Sequence, residues 1–101
     1  MREKLEKAVV DERLAALNTW SLEEEGSKWI MRKYRFSSFL QAIAFVKEVA
    51  QVSEAMNHHP MIAIDYRVVT LRLTSWVAGG LTELDFATAA KFEQVYSEVE
   101  G

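Results

Sequence analysis

Residues 54–60 read Glu-Ala-Met-Asn-His-His-Pro, and the proline that closes this run, Pro60, is the only one in the chain. Its ring drives the residue before it, His59, out of the α region. A helix arriving from the N-terminal side must therefore end before His58-His59-Pro60. These two histidines are also the only two present. Imidazole has an ordinary pKa of about 6.5, which allows proton exchange near neutral pH. The point that stops a long helix thus carries the chain's whole supply of neutral-pH proton carriers.

Upstream of the break, Ser37 or Ser38 is placed to N-cap a helix running to about Met56. Phe39, Ile43, Val46 and Ala50 recur at spacings of four, three and four, which predicts one buried stripe, widened by Leu40, Phe45 and Val49. Before that helix, Trp29 to Phe36 alternates, with Ile30, Tyr34 and Phe36 on one side and Lys33 and Arg35 on the other. A period of two predicts a half-buried strand. Glu3 to Leu17 carries Leu5, Val9 and Leu14 among charges, an amphipathic helix. Trp20 to Glu24 reads as a short strand, with Glu25-Gly26-Ser27 as its turn.

Beyond Pro60, Ile62–Tyr66 and Val69–Trp76 are β-rich and join around Arg67 and Val68. In the second segment Val69, Leu71 and Leu73 are expected to face the core, with Thr70, Arg72, Thr74 and Trp76 facing the other way. Gly79-Gly80 breaks it. Thr82 followed by Asp85 is an acidic form of the capping box, opening a last helix with Ala89, Phe92, Val95 or Tyr96, and Val99 on its apolar face. The order α-β-β-α-β-β-α predicts an antiparallel sheet with helices on one face.

A chain of 101 residues, half of them hydrophobic, makes one domain with a small core. Its 12 basic and 15 acidic residues give a net charge of -3 with no basic patch, which argues against direct nucleic-acid binding. The absence of cysteine excludes disulfides and thiolate chemistry. The first residues lack the apolar stretch of a signal peptide, and no run of about 18 apolar residues is present to span a membrane. A cytoplasmic protein is expected.

The histidine pair admits several readings. Glu54, four residues before His58, shares its helix face and with His59 makes a two-His, one-carboxylate metal set. A Ser-His-acid set lacks any G-x-S-x-G elbow. General acid–base catalysis on a small molecule needs only two imidazoles held at different angles. The plain alternative is a pair of surface loop histidines. Trp76, before the Gly-Gly break, suits the wall of a pocket for a flat ligand, or else a cover for the sheet edge or a subunit interface. Asp85 is accounted for by capping, and Pro60 by the turn.

Glu54, His58-His59-Pro60, Tyr66, Trp76 and Asp85, at these spacings, closely resemble the signature of the pterin-4a-carbinolamine dehydratases, also known as dimerisation cofactors of a hepatocyte transcription factor. Gly79-Gly80-Leu81-Thr82 and upstream Phe36, Phe39, Ala42 and Phe45 also look like family positions. The resemblance implies an α+β fold, a four-stranded antiparallel sheet with helices on one face, assembled as a homodimer or homotetramer. It implies dehydration of 4a-hydroxytetrahydropterin to quinonoid dihydropterin in tetrahydrobiopterin recycling, with no metal and no organic cofactor. His58 and His59 become the expected catalytic residues. Trp76, Glu54, Thr74, Ser75 and Pro60 become the expected substrate-binding residues, with Glu54 orienting a histidine or holding its tautomer. The alternatives are a protein-interaction module and a pterin-binding role in molybdopterin metabolism. Three positions depart from the family pattern. Trp76 stands where many members have a third histidine, and indole is a donor only; Asn57 replaces a residue that is often acidic, and Ile62 one that is often aromatic.

Overall fold

The computed structural model describes residues 3–23 and 25–100, in the order α1 (Lys7–Leu17), β1 (Ser21–Leu22), β2 (Ile30–Arg35), α2 (Phe39–Met56), β3 (Met61–Asp65), β4 (Val68–Leu73) and α3 (Glu83–Glu100). The expected order of elements is the observed one. All strand pairs are antiparallel, in the sheet order β1-β2-β4-β3. β4 is central, and its alternation is as expected. Val69, Leu71 and Leu73 are fully buried, while Thr70 and Arg72 point to the other face. Ile30 and Tyr34 of β2 lie on the same covered face as these residues, and the helices pack there around one apolar core. No helix among the described residues is long and apolar enough to cross a membrane.

Several boundaries move for identifiable reasons. α1 starts at Lys7 rather than Glu3, because the Leu5 N–H donates to the Leu81 carbonyl at 2.8 Å and keeps the first residues extended. Its most buried residue is Val10, not Val9. The strand expected over Trp20–Glu24 shortens to Ser21–Leu22, and Glu24 lies outside the described residues. β3 and β4 are joined by Tyr66-Arg67, with Asp65 opposite Val68. Tyr66 takes a left-handed φ of 55° and so belongs to the turn, not the strand.

The stripe on α2 is a correction. Ser38 is the N-cap, accepting from the Gln41 N–H. The buried residues are Ala42, Phe45, Val49 and Ser53, whereas Phe39, Ile43 and Ala50 are exposed and Leu40 is 78% exposed. Two apolar stripes run along this helix, and periodicity does not choose between them. The sheet takes the one bearing small Ala42 and the Phe45 ring, which lies 4.7 Å from Tyr34 and 5.1 Å from Phe36.

One charged cluster sits inside the sheet–helix interface. Arg32 faces the helices, where Glu93 of α3 accepts from its guanidinium, from the Tyr34 hydroxyl and from Trp20 Nε1 at 3.1 Å. The guanidinium lies 4.2 Å from the Tyr34 ring centre. Burial opposes ionisation of Glu93, but hydrogen bonds from Tyr34 and Arg32 and the Arg32 charge outweigh it and hold the carboxyl below its ordinary range. Burial, then the Glu93 contact, pushes the Tyr34 phenol up. A depressed carboxyl contributes stability above its unfolded pKa that is lost as pH falls through its folded pKa. Glu93→Gln is therefore expected to lower thermal stability at pH 7 and to flatten the loss of stability between about pH 5 and pH 3. Thermal melts of both proteins across that range check this.

Candidate active site

The end of α2 sets the site's first wall. Asn57 takes a left-handed φ of 52°, its N–H donating to the Glu54 carbonyl at 3.3 Å, and the His58 N–H returns to the Ser53 carbonyl at 3.0 Å. This is the Schellman closure, and a proline shortly beyond it is its usual companion. The closure fixes the direction in which His58 leaves the helix. Its Nε2 lies 2.6 Å from Oδ1 of Asp85, with the His58 side chain 13% exposed and Asp85 fully buried.

Asp85 holds more than the histidine. Its Oδ2 accepts from Ser75 Oγ at 2.8 Å and from the Thr82 N–H at 2.9 Å, and Ser75 Oγ and Thr82 Oγ1 lie 2.9 Å apart. The Thr82 contact is the reciprocal half of the expected capping box. A buried carboxylate with three donors is well satisfied and rigid. The capping role is therefore real, and the same carboxylate orients an imidazole.

His59 has a different setting. Its Nε2 lies 2.5 Å from Oε2 of Glu54, and the two side chains are 55% and 78% exposed. Glu54 therefore meets His59, not His58. With a carboxylate on each Nε2, both rings keep the Nε2–H tautomer when neutral and leave Nδ1 as the acceptor. The metal set Glu54, His58 and His59 does not converge, since the two imidazoles turn to different carboxylates, and no three His, Asp or Glu side chains among the described residues group as a metal site.

Between these elements lies a cleft of about 510 Å³, lined by Asn57, both histidines, Thr74, Ser75, Trp76, Val77 and Leu84 among others. Trp76 is 76% exposed on the turn closed by the Ser75–Gly80 bridge. Thr74 is buried rather than turned outward, because β4 ends at Leu73 and the Thr74 hydroxyl donates to the Lys28 carbonyl. Ser75 reaches the cleft, but its hydroxyl is engaged with Asp85. Pro60 and Glu54 do not line the cleft. Asp85 was legible only as a cap and a signature landmark. The cleft residues Val77 and Leu84 carried no sequence signal at all.

A family model described as Pterin 4 alpha carbinolamine dehydratase matches residues 3–95. The chain belongs to this family. A relative from Chloroflexus aggregans, named "Putative pterin-4-alpha-carbinolamine dehydratase", is 46% identical over 92 residues, covering 91% of this chain and 96% of its own. A relative of the same name from Saccharolobus solfataricus is 36% identical over 80 residues, covering 79% of this chain and 81% of its own. The crystal structure of a transcriptional coactivator/pterin dehydratase from Brucella melitensis superposes with a TM-score of 0.88 at 29% identity, covering 93% of this chain and 99% of that one. A pterin dehydratase-like protein, a RuBisCO assembly factor in the alpha-carboxysome, shares the fold at a TM-score of 0.66 and 24% identity, over 77% of this chain and 89% of that one. The fold is therefore shared with a protein described as an assembly factor.

The Asp85 cluster sets an expectation for stability. Asp85→Ala leaves buried donors without an acceptor, at about 1–3 kcal/mol each, and melts several degrees lower than the parent. Asp85→Asn keeps the shape and most of the stability, because the amide oxygen still accepts. Comparing the melting temperatures of the two variants checks whether the carboxylate is needed for the fold or mainly for its charge.

Proposed function

We propose that the protein dehydrates a 4a-hydroxytetrahydropterin to the quinonoid dihydropterin and water, as part of tetrahydrobiopterin recycling in the cytoplasm. The reaction breaks the C4a–O bond and forms a C4a=N5 double bond. The N5 proton goes to a base, and the hydroxyl leaves as water after taking a proton from an acid. The observation that carries this reading is a pair of imidazoles on one cleft, each anchored through Nε2 to its own carboxylate.

The two settings suit two roles. His58 is enclosed, and the buried Asp85 carboxylate stabilises the positive charge that forms when the ring takes a proton, which suits it to be the base at N5. His59 is open to solvent beside exposed Glu54 and can recover a proton from water after each turnover, which suits it to be the acid at the 4a-hydroxyl. Trp76 walls the cleft as a flat surface for the ring system, with Thr74 and Ser75 beside it in the lining. No metal or organic cofactor enters the scheme.

The expected outcome is faster dehydration in a stopped-flow assay with the intact protein. His58→Ala and His59→Ala should each remove about 10²-fold or more of the catalysed component, the usual scale of one acid–base role. Trp76→His should raise the rate by adding a proton carrier. No acceleration by the intact protein would overturn the proposal.

The reading includes a homo-oligomer, a dimer or a tetramer. β3 is an edge strand whose five residues are all exposed, with Met61, Ile62 and Ile64 among them. An apolar, unpaired edge of this kind favours strand pairing with another copy. Light scattering is expected to report more than one chain per particle, and the Ile62→Lys, Ile64→Lys double variant to shift the distribution toward monomer.

A second reading, a protein-interaction module, is favoured by one observation: the exposed Phe39, Leu40 and Ile43 flank of α2. A stable partner recovered by that flank, with negligible pterin turnover, would replace the enzymatic reading.

A further inference from the structure

Behind the exposed Trp76 indole stands a stack of side chains that the signature does not contain. Trp29 immediately precedes β2, and Trp76 follows shortly after β4. The antiparallel register, with Ile30 opposite Leu73, brings the two strand ends together. The Thr74 hydroxyl, bonded to the Lys28 carbonyl, ties them. The Trp29 and Trp76 rings meet at 5.2 Å and 83°, an edge-to-face contact. The Arg72 guanidinium lies 4.5 Å from the Trp29 ring centre. Glu23 holds that guanidinium with two hydrogen bonds of 2.5 and 2.8 Å, and the Met61 sulfur lies 3.4 Å from it. The Arg72 hydrogen bonds keep the Glu23 carboxyl below its ordinary range, so the pair stays charged in mildly acidic solution.

A tryptophan that only covered the end of a sheet would bury its own ring. Trp76 remains 76% exposed and lines the cleft with both histidines, while its ring also meets Trp29, which is not among the lining residues. An exposed indole on a turn has several rotamers, and each one places the cleft wall differently. The edge-to-face contact, worth about 0.5–1.5 kcal/mol, selects among them.

We propose that Trp29, backed by Arg72 and Glu23, is the positioning residue for Trp76 and so sets the affinity of the cleft for the pterin ring without taking part in proton transfer. This rests on the dehydratase reading of the same cleft. In a chain whose third proton carrier is replaced by indole, the aromatic pair supplies ring binding instead of chemistry. Ligand ordering here depends on a contact across two strands.

The test measures equilibrium binding of 7,8-dihydrobiopterin, a stable probe, together with KM and kcat for dehydration, on the full chain. Trp29→Ala is expected to weaken probe binding and raise KM by roughly three- to tenfold, with kcat nearly unchanged. Trp29→Phe should restore both, and Trp29→Ala in a Trp76→Ala background should add nothing further. Should Trp29→Ala fail to fold, Arg72→Gln carries the same test through a smaller rise in KM. The inference is overturned if Trp29→Ala binds the probe like the parent, if it lowers kcat with KM unchanged, or if its effect persists undiminished without Trp76. A parent protein that does not bind the probe at all overturns the underlying dehydratase reading instead, and this inference with it.

Discussion

A single buried carboxylate joins the fold of this protein to its candidate chemistry. Asp85 closes the N-terminus of α3 through the Thr82 N–H, fastens the end of β4 through Ser75 and turns His58 through Nε2. Three elements that approach from different directions are thereby referred to one pair of oxygens. A charge this deep is tolerated only because every lone pair that matters is matched by a donor. The arrangement also explains why the two adjacent histidines are unlike. One is locked into the interior, and its neighbour, one residue along, shares an exposed contact with Glu54.

Much of the architecture was legible because alternation and helical period are strong in this chain. β4 shows it best: Val69, Leu71 and Leu73 alternate with polar residues, and the sheet buries the apolar set. α2 shows the limit. Its apolar residues form two stripes, and the choice of Ala42, Phe45 and Val49 over Phe39 and Ile43 depends on how closely the helix can approach the sheet, which a one-dimensional pattern does not encode. The start of α1 escapes local pattern for a similar reason, since a distant partner, Leu81, keeps the first residues extended.

The candidate site divides in the same way. The histidine pair, Trp76 and Asp85 stand out by composition and spacing, and the cleft gathers the first three. What was hidden is who holds whom. Asp85 and His58 are 27 residues apart and meet only through the Schellman turn on one side and the capping turn on the other. Trp29 reaches Trp76 only through the β2–β4 register. Arg32 is a similar case, a charge on the covered face of a strand, placed there because the Glu93 carboxylate accepts from it and the Tyr34 ring face lies under it. Pairings of this kind belong to the tertiary structure, and local pattern is blind to them.

The Tyr66 turn bears on how such a molecule assembles. A left-handed backbone at a residue with a Cβ costs roughly 1–2 kcal/mol, and the hairpin loop here contains no glycine to relieve it. The β3–β4 hairpin is thus a poor seed, although it is the most local pairing in the sheet. The β2–β4 pairing must close a loop that contains all of α2, and it supplies the buried face against which that helix packs. Such non-local closure slows folding relative to a hairpin-first route. The β2–β4 pairing, which lends no residue to the cleft lining, therefore sets the pace at which a cleft can exist.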